Sequence, residues 1–218
     1  MVIPALDEAE RVAGAVESAR APGVEVLVVD GGSADSTASV AAAAGARVVV
    51  SAPGRARQLA RGAHEARGEA ILFLHADTRL PAGWSLAVRA ALRDPAVVGG
   101  AFRFRFDERS AGLRFVEWGA RLRVSLLKLP YGDQALFARR SALEAIGGVP
   151  QAPVMEDLDL VAALRRRGRL ALLGLPATTS ARRYLSGGVA RTMARHWLAA
   201  GAWRLGIDRS RVAAWVRR

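Results

Sequence analysis

The chain of 218 residues has no cysteine, which excludes disulfides, zinc–thiolate centres and thiol nucleophiles and fits a reducing compartment. Lysine is almost missing too: Lys128 stands alone, and the rest of the 32 basic residues are arginine. Set against 20 acidic residues, the formal charge is +12, a balance that suits nucleic acid, anionic headgroups or phosphorylated small molecules. Coding bias in a GC-rich genome produces the same arginine excess. The arginines are also dispersed rather than gathered in one block, so charge alone does not choose a partner. No apolar run reaches the ~18 residues a bilayer span requires. No repeat of fixed period and no low-complexity tract occurs. Met1-Val2-Ile3-Pro4 already reads as sheet, with no basic and apolar leader ahead of it, and the expectation is a cytoplasmic protein.

Three nucleotide or nucleophile signatures are also missing. No G-x-G-x-x-G follows the first strand, no G-x-x-x-x-G-K-[ST] occurs, and no serine sits in a G-x-S-x-G elbow. His75-Ala76-Asp77 has the spacing of the aspartyl-phosphatase pair, but His75 holds the nucleophile's place, so no phospho-aspartate can form there.

What is present is an alternation of β-branched runs with helical segments. Val2–Ile3, Val24–Val29, Arg47–Val50 and Ala70–Leu74 read as strands. Asp7–Arg20, a segment ending at Gly45, and Pro53–Arg67 read as the helices between them. Short connections in this order imply a three-layer α/β/α fold on a mostly parallel sheet. Further on, Pro81–Leu92 reads as a helix. Val97–Phe106 alternates Phe102, Phe104 and Phe106 with Arg103 and Arg105, the pattern of a half-exposed edge or antiparallel strand. Ser110–Lys128 reads as a helix with Leu113, Trp118, Leu122 and Leu126 along one side. The expected organisation is a domain over residues 1–180 and a helical extension over 181–218.

The chemistry-bearing positions fall at the ends of these elements. Ile71–Leu74 is uninterruptedly apolar and stops on His75-Ala76-Asp77, and the carboxyl ends of strands are where open α/β folds bind ligands. Asp30-Gly31-Gly32-Ser33 closes the second strand, and Glu156-Asp157 opens a late helix. Each has a structural explanation as well: Asp77 as a helix cap, Asp30 as a turn residue, Glu156-Asp157 as an acidic first turn. Their recurrence in one α/β chain points to a site.

Taken in order, Val2-Ile3-Pro4-Ala5-Leu6-Asp7-Glu8, Val28-Val29-Asp30-Gly31-Gly32-Ser33, Gly54-Arg55-x-x-Gln58, Leu74-His75-Ala76-Asp77, Gly132-Asp133-Gln134 and Met155-Glu156-Asp157-Leu158-Asp159 resemble an inverting family 2 glycosyltransferase of GT-A fold, in a small bacterial subgroup. The resemblance covers roughly residues 1–175 and rests on order and spacing. It departs from the commoner pattern at Asp7, where Asn is usual, and at His75, where the first Asp of a D-x-D pair is usual.

The resemblance implies a nucleotide-diphospho-sugar donor, most simply a UDP-sugar, and Mg²⁺ or Mn²⁺ held by Asp77. It places Pro4, Leu6, Glu8 and Asp30 around the nucleoside, with the Asp30 carboxylate as acceptor for a uracil N3–H. Arg55 and Gln58, at a helix start, fall to the diphosphate. His75 and Ala76 flank the metal position, with His75 open between metal ligand, phosphate contact and a histidine satisfied by backbone. Asp133-Gln134 falls to donor sugar or acceptor. An attacking hydroxyl needs a base; Asp157 is the candidate, with Glu156 positioning the acceptor or supporting the loop.

At the tail, Val189, Met193, Trp197 and Ala200 form a stripe with Arg191 and Arg195 off that face. Contact with the inner face of a membrane and a lipid acceptor is one reading; packing on the sheet or in a homodimer is the other. Two competing functions were weighed. A sugar-nucleotide pyrophosphorylase wants a Gly-rich basic loop after the first strand, and Pro4-Ala5-Leu6-Asp7-Glu8 is not one. A basic nucleic-acid-binding module wants clustered arginine with exposed aromatics, whereas acidic residues occupy the expected site mouth.

Overall fold

The computed structural model describes residues 1–216. Its first half runs β1 (Val2–Ala5), α1 (Val12–Ala19), β2 (Leu27–Asp30), α2 (Thr37–Ala43), β3 (Arg47–Val50), α3 (Arg55–Glu65) and β4 (Ala70–Leu72). The second half runs β5 (Thr78–Arg79), α4 (Trp84–Ala91), β6 (Val97–Phe106), α5 (Ala111–Leu127), a 3-10 turn (Gly132–Gln134), β7 (Phe137–Arg139), α6 (Arg140–Ala145), α7 (Glu156–Arg165) and β8 (Arg169–Thr179). Three helices close it: α8 (Arg182–Gly187), α9 (Val189–Arg204) and α10 (Arg209–Val216). Arg217 and Arg218, expected at the end of the last basic helix, lie outside the described residues.

Strands β1, β2 and β3 are parallel neighbours in that order. A mixed sheet in the order β4-β7-β6-β8-β5 continues beside them, joined through a parallel bridge between Val2 and Phe73. Because side chains alternate across a strand, β1 and β2 feed two cores. Ile3 and Val28 pack with Val12 and Val16 of α1 on one face. Val2, Leu27 and Val29 pack with Leu59 and Ala63 of α3 on the other. These are the three expected layers, and each fully buried aliphatic side chain contributes about 1.5–3 kcal/mol. Helix α3 lies so close to the sheet that a Cβ on Gly62 would collide with Val2 and Val29, so glycine there sets the interlayer distance.

Two expectations are corrected and one is refined. The run Ala70–Leu74 lies parallel to β1 as expected, through the Val2–Phe73 bridge, while its other neighbour, β7, is antiparallel. β6 is not an edge strand. It lies between β7, antiparallel, and β8, parallel; alternation reports which face is wet, not how many neighbours a strand has. On α5 the side facing the core is Leu113, Val116, Ala120 and Val124. Of the expected stripe, Trp118, Leu122 and Leu126 are 51%, 42% and 70% exposed. Leu113 lies nine residues, two and a half turns, from Leu122 and so on the opposite face, and the expected single side does not exist. The C-terminal helices pack back on the domain: Tyr184, Val189 and Met193 join Phe104, Phe106 and Leu113, and Ala199, Ala202 and Val212 meet Val154 and Met155.

Candidate active site

The loops after β1 and β2 are tied to each other. Asp7 has φ +52°, a left-handed conformation that Asp and Asn tolerate better than most residues, which accounts for an Asp in a place where Asn also serves. Its Oδ1 accepts the Ala34 N–H at 2.8 Å, and its own N–H donates to Ser33 Oγ at 3.0 Å. The N–H of Glu8 donates to Thr37 Oγ1 at 2.8 Å, and Arg182 donates to Glu8 Oε1 at 3.0 Å. Asp30 is buried at the tip of β2, where its carboxylate takes the N–H groups of Gly32 and Ser33 at 3.2 and 3.1 Å and the Ser33 hydroxyl. Pro4 is half-buried beside it and Leu6 is exposed.

Arg55, the first residue of α3, is the centre of the arrangement. It pairs with Glu156 through Nε, reaches Asp157 Oδ2 from Nη2 at 3.5 Å, and donates from Nη1 to His75 Nε2 at 3.3 Å. Burial works against its charge, but Asp157, Glu156 and Asp133 outweigh burial and its pKa rises. His75 responds in the opposite sense. Burial and the adjacent guanidinium push it down to about 4, against the pull of Asp77. A neutral ring that accepts from Arg55 on Nε2 carries its proton on Nδ1.

Asp157 is the buried second residue of α7. Its Oδ2 takes the Gly132 N–H at 2.7 Å and its Oδ1 the Leu158 N–H at 3.0 Å. That bond fixes α7 against the 3-10 turn. The turn carries Asp133, whose Oδ1 is buried without a hydrogen-bond partner among the described residues. Burial, helped by Asp157 and opposed by Arg123, raises Asp133 to about 6. Non-glycine residues with positive φ flank both elements, Ala135 at +48° after the turn and Met155 at +61° before α7, the kind of local strain that recurs at functional sites.

Asp77 lies in the turn between β4 and β5, and its Oδ1 receives only long bonds, from Thr78 at 3.5 Å and Thr179 at 3.4 Å. Asp77 and Asp157 both act on His75, and Gly132 lies against both Asp157 and His75. The acids are therefore on one side of the molecule, at the carboxyl ends of the strands.

A family profile described as glycosyl transferase family 2 matches residues 1–147. The chain belongs to glycosyl transferase family 2. Among curated proteins none matches it. Solved structures do. A crystal structure described only as a mycobacterial protein is 25% identical, with TM-score 0.69, covering 95% of this chain and 74% of that one. Glucosyl-3-phosphoglycerate synthase from Mycobacterium tuberculosis, solved with Mn²⁺ and UDP-glucose, is 24% identical, with TM-score 0.68 and coverage of 95% and 78%. The same enzyme with Mg²⁺ and UDP is 23% identical, with TM-score 0.67 and coverage of 95% and 79%. These likenesses give the GT-A fold, and family membership removes the pyrophosphorylase and nucleic-acid-module alternatives.

Within this family 2 glycosyltransferase, some expected residues are brought together and others are set behind the site. Arg55, His75, Ala76, Asp77, Glu156 and Asp157 gather on the Arg55 side, and Pro4, Leu6, Glu8 and Asp30 on the paired loops. Gln58 is buried beneath them, its amide donating to the carbonyls of Ala5 at 2.7 Å and Val29 at 2.9 Å. It braces two strand tips and faces no open space. Gln134 is likewise spent: it donates to Phe102 O at 2.9 Å and accepts from Tyr131 N at 3.2 Å and Arg123 at 3.1 Å. His75 is held by Arg55 rather than by backbone. Arg123, stacked 3.4 Å over the Tyr131 ring, gave no sequence signal, being one arginine among many. Asp159, set apart on α7, accepts from Trp203 Nε1 at 2.7 Å and Arg209 at 2.9 Å and so anchors the C-terminal helices.

Proposed function

We propose that the protein transfers a sugar, with inversion, from a UDP-sugar to an acceptor hydroxyl with the help of a divalent cation. The observation that carries this reading is the junction of Arg55 with His75, Glu156 and Asp157, next to the Asp77 carboxylate in the turn after β4. Described glucosyl-3-phosphoglycerate synthase structures hold UDP or UDP-glucose with Mg²⁺ or Mn²⁺, and that supports the same donor class here.

The residues present fit such a cation. No group of three or more His, Asp or Glu among the described residues could enclose one. Mg²⁺-type ions in phosphate chemistry need only one or two carboxylates and take the remaining oxygens from phosphates and water. Asp77 supplies a carboxylate whose own hydrogen bonds are long. When bound, the ion neutralises charge on the departing diphosphate.

Everything else falls to this chain's side chains. Arg55 offers a guanidinium to the diphosphate at the start of α3, where the helix dipole adds to it. Glu156 keeps Arg55 in place before the donor arrives. The acceptor oxygen attacks the anomeric carbon as the bond from that carbon to the diphosphate oxygen breaks, and the hydroxyl proton passes to Asp157. A carboxylate offers about four acceptor positions, so Asp157 retains capacity beside its two backbone donors. Asp30, Pro4, Leu6 and Glu8 would receive the nucleoside, with Asp30 exchanging a bond from its own turn for the uracil N3–H.

Thermal shift with UDP, with and without Mn²⁺, tests the reading. Wild-type protein should be stabilised several degrees by the pair and much less by UDP alone, and Asp77→Ala should lose the Mn²⁺-dependent part. Equal stabilisation of both proteins would remove Asp77 from the metal site.

A further inference from the structure

A groove between α5 and α9 takes no part in the donor chemistry. Its volume is about 430 Å³, inside the span of roughly 300–1,000 Å³ typical of small-molecule sites. Phe115, Leu122 and Leu126 of α5 face Met193 and Trp197 of α9 across it, and Tyr131 and Asp133 of the site form part of its lining.

Two observations say that this space is kept for a ligand. The first is glycine. Gly119 and Gly201 lie within α5 and α9 and line the groove, where glycine costs about 1 kcal/mol relative to alanine. Neither has a positive φ, and a Cβ on either would meet nothing within 4 Å. Gly62 in α3 is required by Val2 and Val29; these two are required by no neighbour. Side chains at 119 and 201 would simply fill the groove. The second observation is the buried Asp133 Oδ1, which lacks a donor. An acceptor atom left so is costly, and the carboxylate marks the polar end of an otherwise largely apolar groove.

We propose that this groove is the acceptor site and that the acceptor is an apolar alcohol, its hydrocarbon body between α5 and α9 and its hydroxyl at the end of the groove formed by Tyr131 and Asp133. The inference rests on the transferase reading and names its second substrate class. The hydroxyl then lies at the turn whose Gly132 N–H is bonded to Asp157, which is where the proton must go. A small acceptor without a hydrocarbon body fits poorly, because it would leave the apolar walls wet, although Arg123 and Arg204 also line the groove beside Asp133.

The test uses full-length protein with UDP and Mn²⁺ bound, and 1-hexanol, 1-octanol and 1-decanol as probes, read by the fluorescence of Trp118 and Trp197. At about 0.8 kcal/mol per buried methylene, affinity should rise on the order of tenfold from each alcohol to the next. Gly119→Leu and Gly201→Leu, on opposite walls, should each lower octanol affinity at least tenfold while the UDP–Mn²⁺ thermal shift stays within a degree of wild type. That shift also certifies that each variant is folded. Affinity independent of chain length, or unchanged in both variants, overturns the proposal. Absence of any UDP–Mn²⁺ shift in wild type, with alcohols still binding, would overturn the transferase reading instead.

Discussion

The loops at the tips of β1 and β2 and the groove between α5 and α9 satisfy their atoms in opposite ways. In the loops most polar atoms are paired, within a loop or across to its neighbour: Asp7 with Ala34, Ser33 with Asp30, Glu8 with Thr37 and Arg182, with Glu8 Oε2 left to the Arg11 guanidinium at 3.6 Å. The groove is walled by side chains that touch little, has glycines where larger residues would fit, and includes a carboxylate oxygen without a donor. One region is preorganised for a ligand of fixed shape, whose binding costs little reorganisation. The other stores unmet contacts that a ligand must supply. A transferase has one substrate of each kind: a nucleotide with many polar atoms, and an acceptor whose identity varies with the enzyme.

The largest effect is expected at Asp157, which is bonded to Arg55 and to Gly132 of the turn that carries Asp133. Asp157→Asn should lower transfer by about 10²–10⁴-fold, the usual share of a positioned base, while UDP affinity changes by less than threefold. Steady-state transfer beside UDP titration checks this, and turnover within tenfold of wild type would move the proton acceptor elsewhere. Arg55→Met probes the same junction through folding. It leaves Glu156, whose side chain is 3% exposed, as a buried charge without its cation. Unfolding in urea should show a loss of about 3 kcal/mol, and the double variant with Glu156→Gln should recover much of it.

The sequence made the first region readable and left the second dark, for physical reasons. Apolar runs that stop on Asp30 or Asp77 announce strand ends, and a pair such as Glu156-Asp157 opening a helix announces another. Ligands collect at those ends because the fold leaves a crevice there. Periodicity on α5, in contrast, puts Trp118, Leu122 and Leu126 on one side and Leu113 on the other, and it cannot say which side meets core and which an open groove. Gln58 and Gln134 read as ligand contacts because an amide looks the same whether it holds a phosphate or two carbonyls. The isolation of Asp133 is a property of what is not near it, and no local pattern records that.

The pH dependence of stability separates the groove from the Arg55 junction at single residues. Asp133 sits at about 6 in the folded protein against an ordinary value of about 3.9, so folding favours its protonated form. Its contribution is complete below pH ~4 and is lost as pH rises through ~6, on the order of 2 kcal/mol. His75, pushed down to about 4, acts the other way: its contribution is present above pH ~6.5 and fades as pH falls toward ~4. In wild type the two slopes oppose. Asp133→Asn removes one of them, so the variant's melting temperature should rise more steeply from pH 4 to 6.5 than the wild type's. Parallel curves would mean that Asp133 is ionised throughout.

The smallest effect has the most to say about the groove. Gly119→Ala adds one methyl group in the middle of α5, where it meets nothing within 4 Å. The helix gains the propensity difference, so chemical denaturation should show stabilisation of about 0.5–1 kcal/mol. A single methyl narrows the groove without closing it, and octanol affinity should fall by less than threefold. Stabilisation together with weaker binding is the signature of a position where glycine serves a ligand and not the fold. Destabilisation would mean that α5 and α9 close on each other in solution, and that the glycine lets two helices touch.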